Sequence, residues 1–192
     1  MEEKNYEGKN TLWQKIKENV IEFLKFAFIA VIIVLPIRMF IAQPFIVSGL
    51  SMFPTFNDGE YLIIDELSYN LGSINRNDVV VFHYPNDKKK YFIKRIIGLP
   101  NETIIINNGE VTIKNKEFPE GFKLEQNYIK EKFSTTSTYT TGPDDYFVMG
   151  DNRNYSSDSR AWGTLNKKFL VGRAFLRLLP LNNISYLPGK IK

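Results

Sequence analysis

No cysteine occurs among the 192 residues, which excludes disulfide scaffolds, thiolate zinc sites and cysteine nucleophiles. Histidine is almost as scarce. His83 stands alone, so a multi-histidine metal site is impossible and any Ser/His/Asp triad would depend on that one residue. No metal or other cofactor is expected. An excess of one charge is also lacking: 25 Lys and Arg against 21 Asp and Glu leave a net charge of +4, too small and too evenly spread to argue for a nucleic-acid partner. Internal repeats and charge blocks are absent. At this length about 70% of the unfolded chain's surface can be buried, so a core can form without staples or metal.

The one abrupt shift in composition lies near the N-terminus, where Phe26 to Ile37 runs without a polar residue between Lys25 and Arg38. Alone it is too short for a membrane helix, which needs about 20 mostly apolar residues. With Lys25 and Arg38 snorkelling, a span from Phe23 to Ala42 suffices. A buried core helix would be odd ahead of an all-strand pattern. An amphipathic surface helix would carry polar residues at helical spacing, and a cleaved leader would end in an Ala-x-Ala pattern without Arg38. Lys4, Lys9, Lys15, Lys17 and Lys25 precede the run, while no basic residue follows Arg38 until Arg76. The positive-inside rule therefore expects a cytoplasmic N-terminus and a domain on the far side.

Beyond Phe45 the short apolar runs are rich in β-branched and aromatic residues and are separated by turn chemistry, the pattern of an antiparallel all-β domain. Strands are expected at Tyr61 to Asp65, Val79 to Tyr84, Tyr91 to Ile97, Thr103 to Ile106, Val111 to Lys114, Tyr146 to Met149 and Leu170 to Leu178. Asn107-Asn108-Gly109 reads as a hairpin turn. The stretch from Lys116 to Asp145 is more polar and resembles an insertion. Its run from Ser134 to Thr141 suits either a disordered loop or an exposed hairpin.

On a strand from Tyr91 to Ile97, Phe92, Lys94 and Ile96 share one face and Tyr91, Ile93, Arg95 and Ile97 the other. Both faces carry apolar groups, so only one of Lys94 and Arg95 is expected to reach water easily. If Lys94 faces inward, desolvation disfavours its ammonium form and a neutral amine becomes a general base; otherwise it is an edge-strand lysine that discourages aggregation. Ser51 lies between Gly49 and Pro54 in an apolar setting that could present its hydroxyl. A serine needs a base, and Lys94 is the candidate. The segment Gly150 to Gly163 is dense in hydrogen-bonding groups. There Asp151 could pair with Arg153 or Arg160, and a Ser156 hydroxyl could orient a neutral lysine, or the loop could simply satisfy its own backbone.

These segments resemble the type I bacterial signal peptidases, serine proteases with a serine/lysine dyad. The resemblance spans nearly the whole chain. It rests on the apolar helix, Ser51-Met-Phe-Pro-Thr55, Gly59-Glu-Tyr-Leu-Ile63, Asn77-Asp-Val-Val-Val-Phe82, Ile93-Lys94-Arg95-Ile-Ile-Gly98-Leu-Pro100, and Gly150-Asp-Asn-Arg153 with Ser156 to Arg160, in the family's order. It implies a mostly β fold, an antiparallel β-sheet catalytic domain with a small inserted β subdomain, preceded by one N-terminal transmembrane helix. The implied division is 1–22 cytoplasmic, 23–42 transmembrane, 43–101 and 145–192 catalytic, and 102–144 inserted. It further implies Ser51 as nucleophile, Lys94 as base and Ser156 as the hydroxyl that positions the amine. Asp151, Arg153, Asp158 and Arg160 would brace the site through ion pairs.

The implied reaction is cleavage of signal peptides from exported preproteins after small residues of Ala-x-Ala type. Phe45, Val47, Met52, Phe92 and Ile93 match positions that line the substrate pockets. The Ser51 amide would be one oxyanion donor. Some relatives supply a second from a serine two positions before the nucleophile; here that position is Gly49, and Ser48 is offset by one. The implied setting is the bacterial plasma membrane, with the catalytic domain outside and with membrane lipid and preproteins as partners. One span and no disulfide resemble the simpler members, Asn154-Tyr155 departs from a common Asp-Asn pair, and His83 is read as a packed or surface residue. Two rival readings are an inactive membrane-anchored β domain that only binds peptides, and a soluble self-cleaving repressor, which would need a DNA-binding domain ahead of the protease.

Overall fold

The structure is a computed structural model that describes residues 4–40, 42–67, 72–131 and 133–191. The chain divides into two units, residues 1–41 and 42–192.

The first unit is one helix, α1 (Lys4–Phe40), whose described side chains are those of residues 13–34. Phe23, Phe26, Phe28, Ile29 and Val31 to Val34 are all exposed large apolar groups. The part of the expected span whose side chains are described, Phe23 to Val34, rises about 18 Å at 1.5 Å per residue, against a hydrocarbon core of roughly 30 Å. Among the described residues no helix is long and apolar enough to cross a membrane. The expected span continues through 35–42, whose side chains lie outside the described residues.

In the second unit all strand pairings among the described residues are antiparallel. Its larger sheet has the order β1 (Ala42–Ile46), β2 (Tyr61–Asp65), β11 (Leu170–Leu179), β3 (Val79–Tyr84), β4 (Asp87–Gly98), β9 (Asp145–Met149), β10 (Leu165–Asn166), with β12 (Ser185–Tyr186) on β11. The smaller sheet has the order β7 (Phe122–Lys123), β6 (Glu110–Lys114), β5 (Thr103–Asn107), β8 (Ser137–Thr140). Alternation sets the buried face in β2, where Leu62 and Ile64 point inward. In β3, Val79 to Phe82 are buried on both faces, which explains the unbroken apolar run. The β5–β6 turn has positive φ at Asn108 (48°) and Gly109 (86°), as a tight hairpin requires.

Several strands extend beyond their expected limits, β4 most of all. Pro44 disguised β1, which tolerates proline because it is an edge strand. Half of the Ser/Thr run is a strand: β8 pairs with β5 in register from Thr103↔Thr140 to Ile106↔Ser137.

Three apolar clusters form the core. Val47, Met52, Phe56, Leu62, Ile64, Val79, Val81 and Ala174 pack together around β1, β2 and β3. Ile74, Val80, Phe82, Ile96, Tyr146, Val148 and Leu165 pack around β3, β4 and β9. Ile97, Phe147 and Met149 of the larger sheet join Ile104, Ile106, Val111, Ile113, Leu124 and Phe133 in a cluster shared by both sheets.

Candidate active site

Ser51 sits in the turn that follows β1. Met52 and Phe56, both buried, pin this turn to the core, and Phe56 N donates to Met52 O (3.0 Å). Gly49 enters the turn at φ 88°, a left-handed conformation that costs glycine little, and its amide donates to Asp58 Oδ1 at 2.7 Å. The 150s loop crosses from the other side: Asn152 N donates to Ser51 O (3.0 Å) and Asn152 Nδ2 to Leu50 O (3.1 Å). Gly150 is required there. A Cβ on it would lie 2.4 Å from Ser51 O and 2.3 Å from Ser156 Oγ, so both oxygens crowd the same glycine.

Lys94, on β4 opposite Val80, is 4% exposed. Its Nζ lies 2.8 Å from Ser51 Oγ and 2.8 Å from Ile93 O, with the Phe92 ring 5.1 Å away. Burial disfavours the ammonium and pushes its pKa down to about 8, while Asp158 and Asp151 pull the other way. A lysine in this condition deprotonates appreciably near neutral pH and touches the hydroxyl it would activate.

Arg95 is 1% exposed, so neither of the two neighbours reaches water. The expectation that one of them would is overturned, because Arg95 is neutralised internally. Asp151, expected to pair with Arg153 or Arg160, takes Arg95 in a two-point ion pair, Nε to Oδ1 at 2.8 Å and Nη2 to Oδ2 at 2.5 Å. Arg95 Nη1 donates to Asn77 O (2.9 Å) and Gly189 O (2.6 Å). Thr55 Oγ1 adds a 2.5 Å bond to Asp151 Oδ2, tying the Ser51 turn to this pair. Sequence reading passed over Arg95 and Thr55 as members of the network; the only hint was a second basic residue on an apolar strand.

Asp158 caps the short helix α2 (Ser159–Trp162), pairs with Arg160 through Nε and Nη2 (2.8 Å each), and accepts from Gly150 N (3.0 Å). Arg160 Nη2 also donates to Arg153 O at 2.7 Å. Arg153 itself forms no ion pair among the described residues. Its Nε donates to Gly150 O (3.0 Å), and its guanidinium lies over the Phe133 ring at 5.1 Å. Apolar and aromatic cover replaces the expected partner. Ser156 Oγ is buried and has no hydrogen-bond partner among the described residues, so the Lys94 amine is held by Ser51 and Ile93.

A cleft of about 380 Å³ opens beside the pair. Phe45, Val47, Phe92 and Ile93 line it together with Ser51 and Lys94. Met52, also expected there, is 1% exposed within the core cluster instead, because it anchors the turn. Tyr91 joins the lining and packs edge-on against Phe45 at 5.1 Å. Ser48 lines the cleft as well, and Ser51 is the cleft's link to the turn. His83 is half-buried, donates from Nδ1 to Lys88 O (2.8 Å) and packs at a tilt against Tyr91 without lining the cleft itself. No cluster of metal-ligating side chains occurs among the described residues.

Comparison with known proteins gives a consistent answer. The family model described as "Signal peptidase, peptidase S26" matches residues 20–179. A probable signal peptidase I-1 of Synechocystis is 34% identical over 93% of each chain. Signal peptidase I P of Bacillus subtilis subsp. natto is 38% identical over 88% of this chain and 95% of its own. Signal peptidase I of Leptolyngbya laminosa is 35% identical over 90% of this chain and 86% of its own.

Proposed function

This chain belongs to the signal peptidase family, peptidase S26, and on that premise we propose that it cleaves signal peptides from exported preproteins with Ser51 as nucleophile and Lys94 as general base. The observation that carries this reading is the 2.8 Å contact between a buried lysine amine and a serine hydroxyl at the edge of a substrate-sized cleft.

In the reactive state Lys94 is neutral and its lone pair accepts the Ser51 proton. Ser51 Oγ forms a bond to the scissile carbonyl carbon, and the carbonyl oxygen becomes an oxyanion beside the Ser51 amide. The Lys94 ammonium then passes its proton to the departing nitrogen as the C–N bond breaks. Water, deprotonated in turn by Lys94, attacks the acyl carbon; the bond to Ser51 Oγ breaks, the Lys94 ammonium returns the proton to that oxygen, and the carboxylic acid product leaves. Ser156 is assigned to steady the amine, a role supported by its buried, unpartnered hydroxyl beside Gly150. Asp151, Arg153, Asp158 and Arg160 support the frame, and the two carboxylates also act on the charge of Lys94. Gly49 offers no hydroxyl, so this enzyme works without a side-chain oxyanion donor at that position.

A substrate chain adds to the sheet as an extended strand. β1 is an edge strand, and β4 pairs with β9 only between Arg95 and Gly98, so the preceding residues of β4 have an open edge among the described residues. Backbone pairing there is independent of sequence, while Phe45, Val47, Phe92 and Ile93 restrict side-chain size; broad choice with a small-residue requirement follows.

The same reading makes 23–42 a membrane anchor with 1–22 cytoplasmic, 43–101 and 145–192 an extracytoplasmic catalytic domain, and 102–144 an inserted subdomain. The exposed apolar side chains of Phe23 to Val34 and the basic residues preceding them support the anchor. Two experiments test the reading. Purified protein should cleave a preprotein while Ser51→Ala does not, and equal activity in both would overturn the mechanism. Carbonate-washed membranes should retain the chain, and recovery in the supernatant would remove the anchor.

A further inference from the structure

Two aromatic rings from the segment that joins β7 to β8 lie over the guanidinium groups next to the dyad. The Arg95 guanidinium carbon is 4.2 Å from the centre of the Tyr128 ring, and that of Arg153 is 6.0 Å away. Phe133 in turn faces Arg153 at 5.1 Å and Arg160 at 5.5 Å. The Tyr128 hydroxyl contributes little, since the bond it accepts from Arg153 Nη2 is long at 3.4 Å. The face of the ring therefore matters more than its oxygen. Four of the five guanidinium N–H groups of Arg95 are bonded, to Asp151, Asn77 O and Gly189 O, and Tyr128 covers one π face.

This contact has a route to the active atoms. Arg95 fixes Asp151, and Asp151 accepts from Thr55 in the Ser51 turn. The neighbour of Asp151, Asn152, holds Ser51 O. Asp151 and Asp158 are the carboxylates that act on Lys94; Asp158 is matched by Arg160, and Asp151 by Arg95. Resting on the dyad reading above, we infer that Tyr128 is a positioning residue, through which the smaller sheet keeps Arg95 locked on Asp151 and so sets the proton affinity of Lys94. Loosening Arg95 leaves the Asp151 charge less compensated, and admitting water lowers the cost of the ammonium. Both effects raise the Lys94 pKa, so both move activity to higher pH.

The test is the pH profile of kcat/KM for the full chain in detergent, with active sites counted by acylation burst. Tyr128→Phe should match wild type. Tyr128→Leu, which fills space but has no π face, should shift the acid limb upward by about one unit, a tenfold loss at any pH below that limb. Tyr128→Ala should shift it at least as far. If Tyr128→Leu keeps the wild-type limb and loses only burst amplitude, the ring is a packing element and the inference fails. If Tyr128→Phe shifts as far as Tyr128→Leu, the hydroxyl is the agent and stacking is wrong. Activity surviving in Ser51→Ala would instead condemn the dyad itself, a separate result.

Discussion

Lys94 and Arg95 are consecutive on one strand and both buried, yet only Arg95 has a carboxylate bonded to it. The difference suits their chemistry. A guanidinium keeps its proton and must be matched, whereas an amine left without an ion-pair partner can give its proton up.

The first prediction follows from that contrast. Lys94→Arg should lower kcat/KM for a preprotein-derived peptide by at least about a thousandfold, because the replacement cannot act as a base. Near-normal turnover in this variant would exclude Lys94 from proton transfer.

The pH profile of the wild-type enzyme is equally constrained. On the proposed dyad reading the reactive lysine is the neutral one, and burial brings the Lys94 pKa down to about 8, so kcat/KM should climb with pH and level off above that value. Asp158 pulls this pKa upward; Asp158→Asn should therefore move the limb to lower pH among molecules that remain folded. A profile flat from pH 6 to 9 would contradict the assignment.

Arg95 and Asp151 predict a stability effect. Asp151→Asn leaves a buried guanidinium without its counter-charge and should cost about 3–5 kcal/mol in urea unfolding. Replacing both, as Arg95→Met with Asp151→Leu, should recover a good part of that loss. If the double variant is worse than Asp151→Asn, the pair contributes more than mutual neutralisation.

Gly150→Ala probes geometry without touching a titratable group. The new methyl meets the backbone oxygen of Ser51 at 2.4 Å, so the turn must move. A displacement of this kind should lower kcat/KM by about a hundredfold with a smaller change in Tm. Wild-type kinetics would mean that the 150s loop yields instead.

Glu102 stands where the chain enters the smaller sheet, 4% exposed. Burial alone would raise its pKa, but hydrogen bonds from Arg76, Asn115 and Leu99 N outweigh that and hold it below the ordinary carboxylate value. Its contribution to stability is then complete above about pH 4.5, the unfolded value, and is lost as pH falls through the lower folded one. Glu102→Gln should destabilise by about 2 kcal/mol at pH 7, and the gap to wild type should close in acid. A gap that persists unchanged at low pH would assign the loss to packing.

Local sequence raised Ser51 and Lys94 as a candidate pair but left each open to a bland reading; the ordered motifs of the family resemblance joined them, and the structure places the two in contact. The strands were legible locally, through alternation in β2 and turn chemistry after Asn107. Arg95 as the partner of Asp151 was not, since the two are 56 positions apart and Arg153 and Arg160 lie far closer in sequence. Met52 looked like cleft lining because an apolar residue beside a nucleophile suits either side of a turn, and only packing decides which. Tyr128 carried no signal at all, its segment being polar and without period.

The order of the larger sheet bears on when the two halves of the site can be joined. The hairpin that leads into Ser51 and the hairpin that bears Lys94 do not touch as strands; β11, made more than seventy residues after Lys94, is the wedge between them. Strand pairing alone therefore leaves the two hairpins unjoined until the last long strand is in place.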